Sequence, residues 1–258
     1  MTYKIVVPVS GGKDSQACLK LALTEYDPSE VLGLFCDTQF EHPLTYAHVD
    51  WMEQHYGVKI ERITAGSVDE KVRKYKRFPG GGARHCTDEL KIRPSKYFYK
   101  DLAEKQGGFT VLYGMRLSES HERAKRYADK ISTETYPPHM VLAKYPKYLG
   151  KLGVLFRMPI MEWSTEDVLD YLDGEQNPLY AQGFDRVGCF PCLAGGDKWK
   201  EKAFAHDDFG RSQRIRVKIL EDEIGKNIFT SKGGILRNST GQSDLFDKSY
   251  SGCKICEI

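Results

Sequence analysis

Short apolar runs alternate with amphipathic segments along the first half of the chain. Apolar runs rich in β-branched residues predict strands, over residues 3–9, 30–37, 58–63 and 109–115. Apolar positions three and four residues apart predict helices, over residues 15–23, 43–56 and 87–106, the last with an interruption near Pro94. Because helices separate the strands, we expect an α/β fold with a doubly wound parallel sheet.

The second half of the chain is less regular. Its pattern predicts a strand over residues 155–160 and helices over residues 165–172, 197–205 and 211–224. Residues 177–192 are expected to form a loop, because prolines and glycines interrupt the segment repeatedly. We therefore expect an irregular, mostly helical C-terminal part.

The composition is that of an ordinary globular chain of 258 residues, with 40% hydrophobic and 29% charged positions. It has no run of about 18 apolar residues that could cross a membrane. Its first strand begins without a secretion signal, so we expect a cytoplasmic protein that does not bind membranes. The net charge of +2 identifies no partner. Basic residues are nevertheless concentrated in residues 71–77, 116–126 and 198–218, which favours a polyanionic ligand over the alternative of solvated helix faces.

The segment between the first strand and the first helix carries groups that bind phosphate. Glycines let the backbone approach a ligand, the helix N-terminus presents free N–H groups, and a lysine adds a full positive charge. We predict a phosphate cradle formed by Ser10, Gly11, Gly12, Lys13, Asp14 and Ser15. The spacing is that of neither a Walker A loop nor a dinucleotide fingerprint. A glycine-rich turn without a ligand is the alternative.

Other polar residues follow the predicted strands, where ligands of parallel α/β sheets bind. Asp37 and Thr38 follow the second strand, and Asp37 is placed to accept hydrogen bonds from a ribose hydroxyl or an adenine amine. Gly114 lies at the end of the strand at 109–115, Arg116 and Arg123 follow it, and the two arginines suit phosphate or sulfate oxygens. The alternatives are a turn cap for Asp37 and surface ion pairs for the arginines.

The sequence SGGKDS at residues 10–15 resembles the PP-loop of the N-type ATP pyrophosphatases. Further segments resemble the phosphoadenylyl-sulfate (PAPS) reductase-like members of that superfamily, at residues 36–45, 84–94, 114–123, 163–168, 177–180 and 186–192. The resemblance covers about residues 5–192. It implies a Rossmann-like nucleotide-binding domain over residues 1–160. A helical, cysteine-bearing region over residues 161–258 is expected to pack on that domain.

Seven cysteines in such a chain do not indicate a disulfide framework. Cys18 and Cys36 lie in apolar contexts that predict core positions. The candidate metal ligands are Cys86 and two CxxC pairs, Cys189 with Cys192 and Cys253 with Cys256. The resemblance favours a [4Fe-4S] cluster over Zn²⁺, although spacing alone does not decide between them. A redox disulfide and buried free thiols are the alternatives.

Cys86 is also a candidate nucleophile, because basic neighbours at Arg84, His85 and Lys91 predict that its thiolate is favoured. The chain departs from the iron–sulfur reductases in having His85-Cys86 where they carry a Cys-Cys pair. Its tail also ends in CKIC instead of the Glu-Cys-Gly-Leu-His of the assimilatory PAPS reductases. Both departures weaken the carry-over of the reductase cluster and tail nucleophile.

The intact cradle favours ATP cleavage between the α- and β-phosphates, with Lys13 neutralising the β- and γ-phosphates and Asp14 holding Mg²⁺. The resemblance then implies adenylation of a substrate and sulfur transfer, as in tRNA thiolation or DNA phosphorothioation, with catalytic roles for Lys13, Asp14, Cys86 and Arg116. The expected partners are an adenine nucleotide, tRNA or DNA, a sulfur donor protein and a second copy of the chain. The alternatives are a PAPS or adenylyl-sulfate reductase that forms sulfite, and a non-catalytic nucleotide- or nucleic-acid-binding subunit.

Overall fold

Six strands form one sheet in the computed structural model, which describes residues 2–80 and 84–229. Their bounds are β1 Ile5–Val9, β2 Val31–Asp37, β3 Lys59–Thr64, β4 Phe109–Leu112, β5 Thr135–Tyr136 and β6 Val154–Arg157. The strand order is β3-β2-β1-β4-β6-β5, and all pairs are parallel except β5 with β6. The chain runs from β1 to β2 on one side, and β4 pairs with β1 on the other. The carboxyl end of β1 is therefore a topological switch point, where α/β sheets bind ligands.

Helices cover both faces of this sheet. Within the described residues they are α1 Lys13–Glu25, α2 Pro43–Tyr56, α3 Val68–Tyr75, α4 His85–Thr87, α5 Arg93–Gln106, α6 His121–Arg126, α7 Pro138–Val141, α8 Lys147–Lys151, α9 Thr165–Leu172, α10 Asp197–His206 and α11 Asp208–Ile224. A π-helical turn, Asp88–Ile92, joins α4 to α5. None of the helices in the described ranges is both long and apolar enough to cross a membrane.

The core is divided among the two sheet faces and one end of the sheet. One face packs Val111 of β4 and Phe156 of β6 against Tyr99 of α5. The other face holds apolar residues of α1, α2 and α9, listed as Ala17, Leu19, Val49, Met52, Val168 and Leu172. A third cluster, beyond the end of β2, includes Phe40 and Val217 together with Cys86 and Cys189. This last cluster brings the cysteine-bearing segments to the ligand-binding edge of the sheet.

The predicted α/β fold class with its parallel sheet is confirmed, and the helices predicted at 43–56 and 165–172 have those bounds. The interruption expected near Pro94 is the π-helical turn that ends just before α5. The two-residue strand β5 was not predicted, because so short a strand leaves no alternating pattern. The division of the chain at residue 160 stays a prediction. Cys253 and Cys256 lie outside the described residues.

Candidate functional site

The phosphate cradle, residues 10–15, is shaped by its own hydrogen bonds. Gly11 has φ +74°, and a Cβ there would lie 2.5 Å from Thr45 Cγ2, so both conformation and space require glycine. The Ser15 hydroxyl accepts a hydrogen bond from the Ser10 N–H at 3.1 Å and donates to the Gly12 carbonyl at 2.9 Å. These contacts turn the loop directly into α1, whose first turn has N–H groups without intrahelical partners. The backbone is thus arranged to hold an anion.

Charges alternate in sign along the side of the cradle. The Lys13 ammonium lies 3.7 Å from Asp14 Oδ2, and Arg116 Nε donates to Asp14 Oδ1 at 2.8 Å. Glu119 then pairs with Arg123 and lies 3.8 Å from Arg116 Nη2. The three cationic side chains are nearly buried, with 6%, 3% and 6% of Lys13, Arg116 and Arg123 exposed. Among the described residues, these three cations and two carboxylates carry a net charge of +1, which suits an anionic ligand.

Side chains from the segment after β4 and from the start of α9 hydrogen-bond Arg116. Its Nη1 donates to Thr165 Oγ1 at 3.2 Å and to Ser118 Oγ at 3.1 Å. Gly114, just after β4, approaches α1 closely, since a Cβ at this position would lie 3.0 Å from the Asp14 carbonyl oxygen. The predicted nucleotide residues of the first and fourth strands therefore meet at one point.

The segment 177–180 docks on the cradle, although no individual role was predicted for its residues. Asn177 Nδ2 donates to the Gly11 carbonyl at 3.2 Å, and the Lys13 N–H donates to the Tyr180 hydroxyl at 3.0 Å. The Lys13 ammonium lies 5.3 Å from the centre of the Tyr180 ring. The only signal for these contacts in the sequence is the order of motifs, because local patterning does not encode contacts between such distant residues.

Asp37 and Thr38 lie at the carboxyl end of β2, and Thr38 contacts the segment that carries Cys189. Asp37 Oδ1 accepts hydrogen bonds from the Tyr46 hydroxyl at 2.7 Å and the Gln39 N–H at 2.8 Å. Thr38 is buried, donates to Glu41 Oε1 at 2.7 Å and lies 3.3 Å from Cys189 Sγ. Residues 41 and 189 also form a backbone bridge. Thr38 and Glu41 therefore join the two predicted parts of the site.

We define the cysteine pocket by Cys36, Cys86, Cys189, Cys192 and the ammonium of Lys91. Lys91 interacts electrostatically with Cys189, Cys86 and Cys36, and Cys192 interacts with Cys86 and Cys189. The π-helical turn carries Lys91, in line with the frequent use of such turns at functional sites. Cys18 is buried in the core as predicted. Cys36, also predicted as a core residue, is only partly buried, and its thiol lies 3.3 Å from Ser95 Oγ at the pocket.

The expectation that the Cys86 thiolate is favoured is wrong for this arrangement. Burial raises the pKa of the Cys86 thiol, and the neighbouring Cys192 adds to that effect, while Lys91 only partly opposes it. Burial likewise raises the pKa of Cys189. His85 does not supply positive charge, because burial lowers its pKa. The effect of the basic neighbours on the pKa of Cys86 was overestimated from their positions in the sequence, because desolvation of the thiolate outweighs it.

Three of the five predicted metal ligands, Cys86, Cys189 and Cys192, share this pocket. Thiols suit iron–sulfur clusters and zinc, and their mutual proximity fits such a group. Within residues 2–80 and 84–229, however, no three Cys, His, Asp or Glu side chains are already arranged to hold a metal ion. Cys18, Cys36, Cys86 and Cys189 are free thiols. The ligand set predicted from the sequence therefore stays a prediction.

The sequence matches one known family across most of its length. The profile described as phosphoadenosine phosphosulfate reductase domain matches residues 4–194. An uncharacterized protein of Methanocaldococcus jannaschii is 34% identical over 74% of this chain and 36% of its own length. The probable chloroplastic 5'-adenylylsulfate reductase 1 of Oryza sativa subsp. japonica is 26% identical over 95% of this chain and 51% of its own length. The chain thus spans about a third of the first relative and about half of the second.

Solved structures of low sequence identity were also found. The U34-tRNA thiolase NcsA from Methanococcus maripaludis, with its [4Fe-4S] cluster, has a TM-score of 0.48 and 14% identity, over 95% of this chain and 79% of that chain. The PAPS reductase from Candida auris, in a phosphate complex, has a TM-score of 0.47 and 18% identity, over 73% of this chain and 82% of that chain. Both are remote structural likenesses.

Proposed function

We propose that this chain, which belongs to the phosphoadenosine phosphosulfate reductase family, is an enzyme that splits ATP into AMP and pyrophosphate to activate a substrate for sulfur transfer. The observation that carries the proposal is the cradle itself. Its loop is pre-shaped, lies at the switch point of the sheet and has Lys13 and Arg116 buried on either side of Asp14. Such fixed positive groups stabilise a leaving pyrophosphate without reorganisation.

In this proposal the nucleotide lies along the carboxyl ends of β1, β2 and β4. The β- and γ-phosphates occupy the cradle, where residues 10–15 supply backbone N–H groups and the Lys13 charge. Asp37 and Thr38 border the ribose and adenine, and Gly114 lets the segment after β4 approach α1 closely at Asp14. Arg116 and Arg123 provide forked donors for phosphate oxygens.

A substrate oxygen attacks the α-phosphorus, the bond from that phosphorus to the bridging oxygen breaks, and pyrophosphate leaves with the bonding electrons. Lys13 and the N-terminus of α1 stabilise the charge that develops on the leaving group. Asp14 Oδ1 is engaged by Arg116 and Oδ2 lies 3.7 Å from the Lys13 ammonium, so Asp14 would hold Mg²⁺ through Oδ2, beside that ammonium. Asp14 therefore both orients Arg116 and contributes to the metal site.

The sulfur step is assigned to the cysteine pocket, which adjoins the nucleotide edge through Thr38 and Glu41. A sulfur nucleophile displaces AMP from the adenylated substrate, which we propose to be tRNA or DNA, and a donor protein supplies the sulfur. Cys86 is the candidate nucleophile. The candidate ligands of a [4Fe-4S] cluster, or alternatively of Zn²⁺, are Cys86, Cys189, Cys192, Cys253 and Cys256. When bound, such a group would supply a soft Lewis acid that binds sulfur.

A second candidate function is adenylyl-sulfate or PAPS reduction. It is favoured by the rice reductase, whose match extends over 95% of this chain, and by the cation of Lys91 beside the thiols. In this reaction a cysteine thiolate attacks the sulfur of the nucleotide and displaces the adenosine phosphate. A thiol donor then attacks the resulting S-sulfocysteine and releases sulfite.

One set of assays separates these functions. Protein purified anaerobically is incubated with Mg²⁺ and ATP, with and without tRNA or DNA, and AMP and pyrophosphate are measured. We expect nucleic-acid-dependent release of both products, abolished in Lys13→Ala. Sulfite formed from adenylyl-sulfate or PAPS without ATP consumption would support the second function instead. Nucleotide binding with neither reaction would identify a non-catalytic subunit.

A further inference from the structure

The hydroxyl of Tyr180 lies where the first turn of α1 presents its N–H groups. It accepts a hydrogen bond from the Lys13 N–H at 3.0 Å. It is also 3.3 Å from the position that a Cβ on Gly12 would occupy, so the tyrosine oxygen sits directly against the glycine turn. The ring lies beside the Lys13 ammonium, 5.3 Å away. Tyr180 is therefore part of the wall of the phosphate cradle.

This hydroxyl also retains a proton to donate. Within residues 2–80 and 84–229, its one hydrogen bond is the one it accepts from Lys13. Burial raises the pKa of Tyr180, and the negative charge of Asp14 acts in the same direction, so the phenol stays protonated at neutral pH. A protonated hydroxyl that already accepts one hydrogen bond can donate another to a ligand oxygen.

We propose that Tyr180 is a phosphate-binding residue, whose hydroxyl donates a hydrogen bond to the pyrophosphate moiety of a ligand held in the cradle. The proposal rests on the phosphate-binding part of the proposed function and adds a residue from a distant segment of the chain. The ligand class is inorganic pyrophosphate or the pyrophosphate end of a nucleoside triphosphate. No bond is made or broken at the tyrosine.

The tyrosine is held in place before a ligand arrives. Asn177 is completely buried, its Nδ2 donates to the Gly11 carbonyl at 3.2 Å, and its Oδ1 accepts the Leu179 N–H at 3.0 Å. The turn that carries Tyr180 is therefore fastened to the same loop that the tyrosine extends. A donor fixed in this way loses little freedom on binding, and its hydrogen bond adds to affinity.

Titration calorimetry with inorganic pyrophosphate and Mg²⁺ tests the assignment on the full chain. Tyr180→Phe keeps the ring beside Lys13 and removes only the hydroxyl. We expect it to bind pyrophosphate about tenfold more weakly, because hydrogen bonds to charged oxygens are stronger than neutral ones. The matched control is Tyr136→Phe, which removes a hydroxyl that donates to Glu134 Oε2 at 3.0 Å in the edge strand β5 of the sheet, away from the cradle. Its affinity for pyrophosphate should equal that of the wild type.

Adenosine, which lacks phosphate, is the second probe and should bind wild type and Tyr180→Phe equally. Equal pyrophosphate affinity of Tyr180→Phe and wild type would overturn the proposal. Tighter binding by the variant would also overturn it and show that the hydroxyl competes with phosphate for the Lys13 N–H. Parallel weakening of both probes would indicate a purely structural role. If Lys13→Ala binds pyrophosphate as the wild type does, residues 10–15 are not the phosphate site, and the proposed role of Tyr180 is refuted as well.

Discussion

The phosphate cradle and the cysteine pocket follow the neighbouring strands β1 and β2, yet they are built in opposite ways. The cradle carries full charges, and each charge has an opposite partner at a defined distance, as in the contact of Arg116 with Asp14. The cysteine pocket holds thiols whose pKa values are raised by burial. Burial opposes the charge of its cation, Lys91, but the pKa of Lys91 is raised overall, through the neighbouring thiols when they are ionised and through the carboxylate of Glu41.

The difference indicates how each region is activated. The cradle is organised for an anion before any ligand binds, so binding requires little rearrangement. Burial favours the protonated form of Cys36, Cys86 and Cys189, and thiols must lose their protons before they bind a metal or attack an electrophile. We therefore expect nucleotide affinity to be an intrinsic property of the loop, and thiol reactivity to depend on what enters the pocket.

Removal of one pocket thiol should have the largest effect. We predict that Cys189→Ala, purified anaerobically, loses most of the iron or zinc that the wild type carries, because a site of thiolate ligands seldom survives the loss of one. Iron, sulfide and zinc analysis measures the effect. Cys18→Ala, in the core away from the pocket, is the matched control and should keep its metal. Equal metal content in the wild type and Cys189→Ala would refute the ligand assignment.

Arg116 tests the charge arrangement of the cradle. Arg116→Lys keeps the charge but loses the fork that reaches Asp14 and Thr165 together, so we predict at least a ~100-fold decrease in pyrophosphate release from ATP. Arg126→Lys, at an exposed position of α6, should leave the rate unchanged. The rate is measured by a coupled pyrophosphate assay. If both variants retain full activity, the preorganised charges have no part in the reaction.

The shape of the loop is tested by Gly11→Ala. The left-handed φ and the 2.5 Å approach to Thr45 Cγ2 should together lower the free energy of unfolding by about 2–4 kcal/mol. Gly57→Ala has a similar positive φ with open space around it, and should cost only about 1 kcal/mol. Urea denaturation gives both values. Adding Thr45→Ser to Gly11→Ala removes the clashing methyl group and should recover part of the lost free energy of unfolding. Equal losses in Gly11→Ala and Gly57→Ala would contradict the steric argument.

The smallest expected effect lies behind the cradle, at His48, whose Nε2 hydrogen-bonds Gln16 Oε1 of α1 at 2.8 Å. Burial lowers the pKa of His48 to about 4. Between this value and about 6.5 the unfolded chain binds more protons, so the free energy of unfolding should fall as pH falls through that range, by roughly 2 kcal/mol. In His48→Gln, the melting temperature measured by thermal denaturation should fall less between pH 7 and pH 4 than it does in the wild type. An unchanged slope would mean that His48 is not the titrating group.

The turn from β1 into α1 could be predicted from the sequence because its signals are local. A β-branched strand, two glycines and a helix start within ten residues define where the loop must turn. The same holds for helix α2, which Pro43 begins and Gly57 ends in the left-handed conformation. Such features depend on neighbours along the chain, and no tertiary contact is needed to infer them.

The parts that could not be predicted depend on contacts between distant residues. Tyr180 and Lys13 are separated by 167 positions, and Cys189 and Glu41 by 148. The state of the Cys86 thiol was also misjudged, because burial depends on the tertiary packing of Phe40, Leu90 and Leu193 around it. A single sequence carries no record of which distant side chains exclude water.

The docking of residues 177–180 on the cradle has a consequence for the biosynthesis of the protein. The glycine loop is synthesised about 166 residues before the side chains that hydrogen-bond Gly11 and Lys13. The β1–α1 unit can therefore form before these contacts are available, and the contacts close a long loop of the chain. A nascent chain that stops before residue 177 lacks them, so its glycine loop would have to hold its turn without Asn177 and Tyr180.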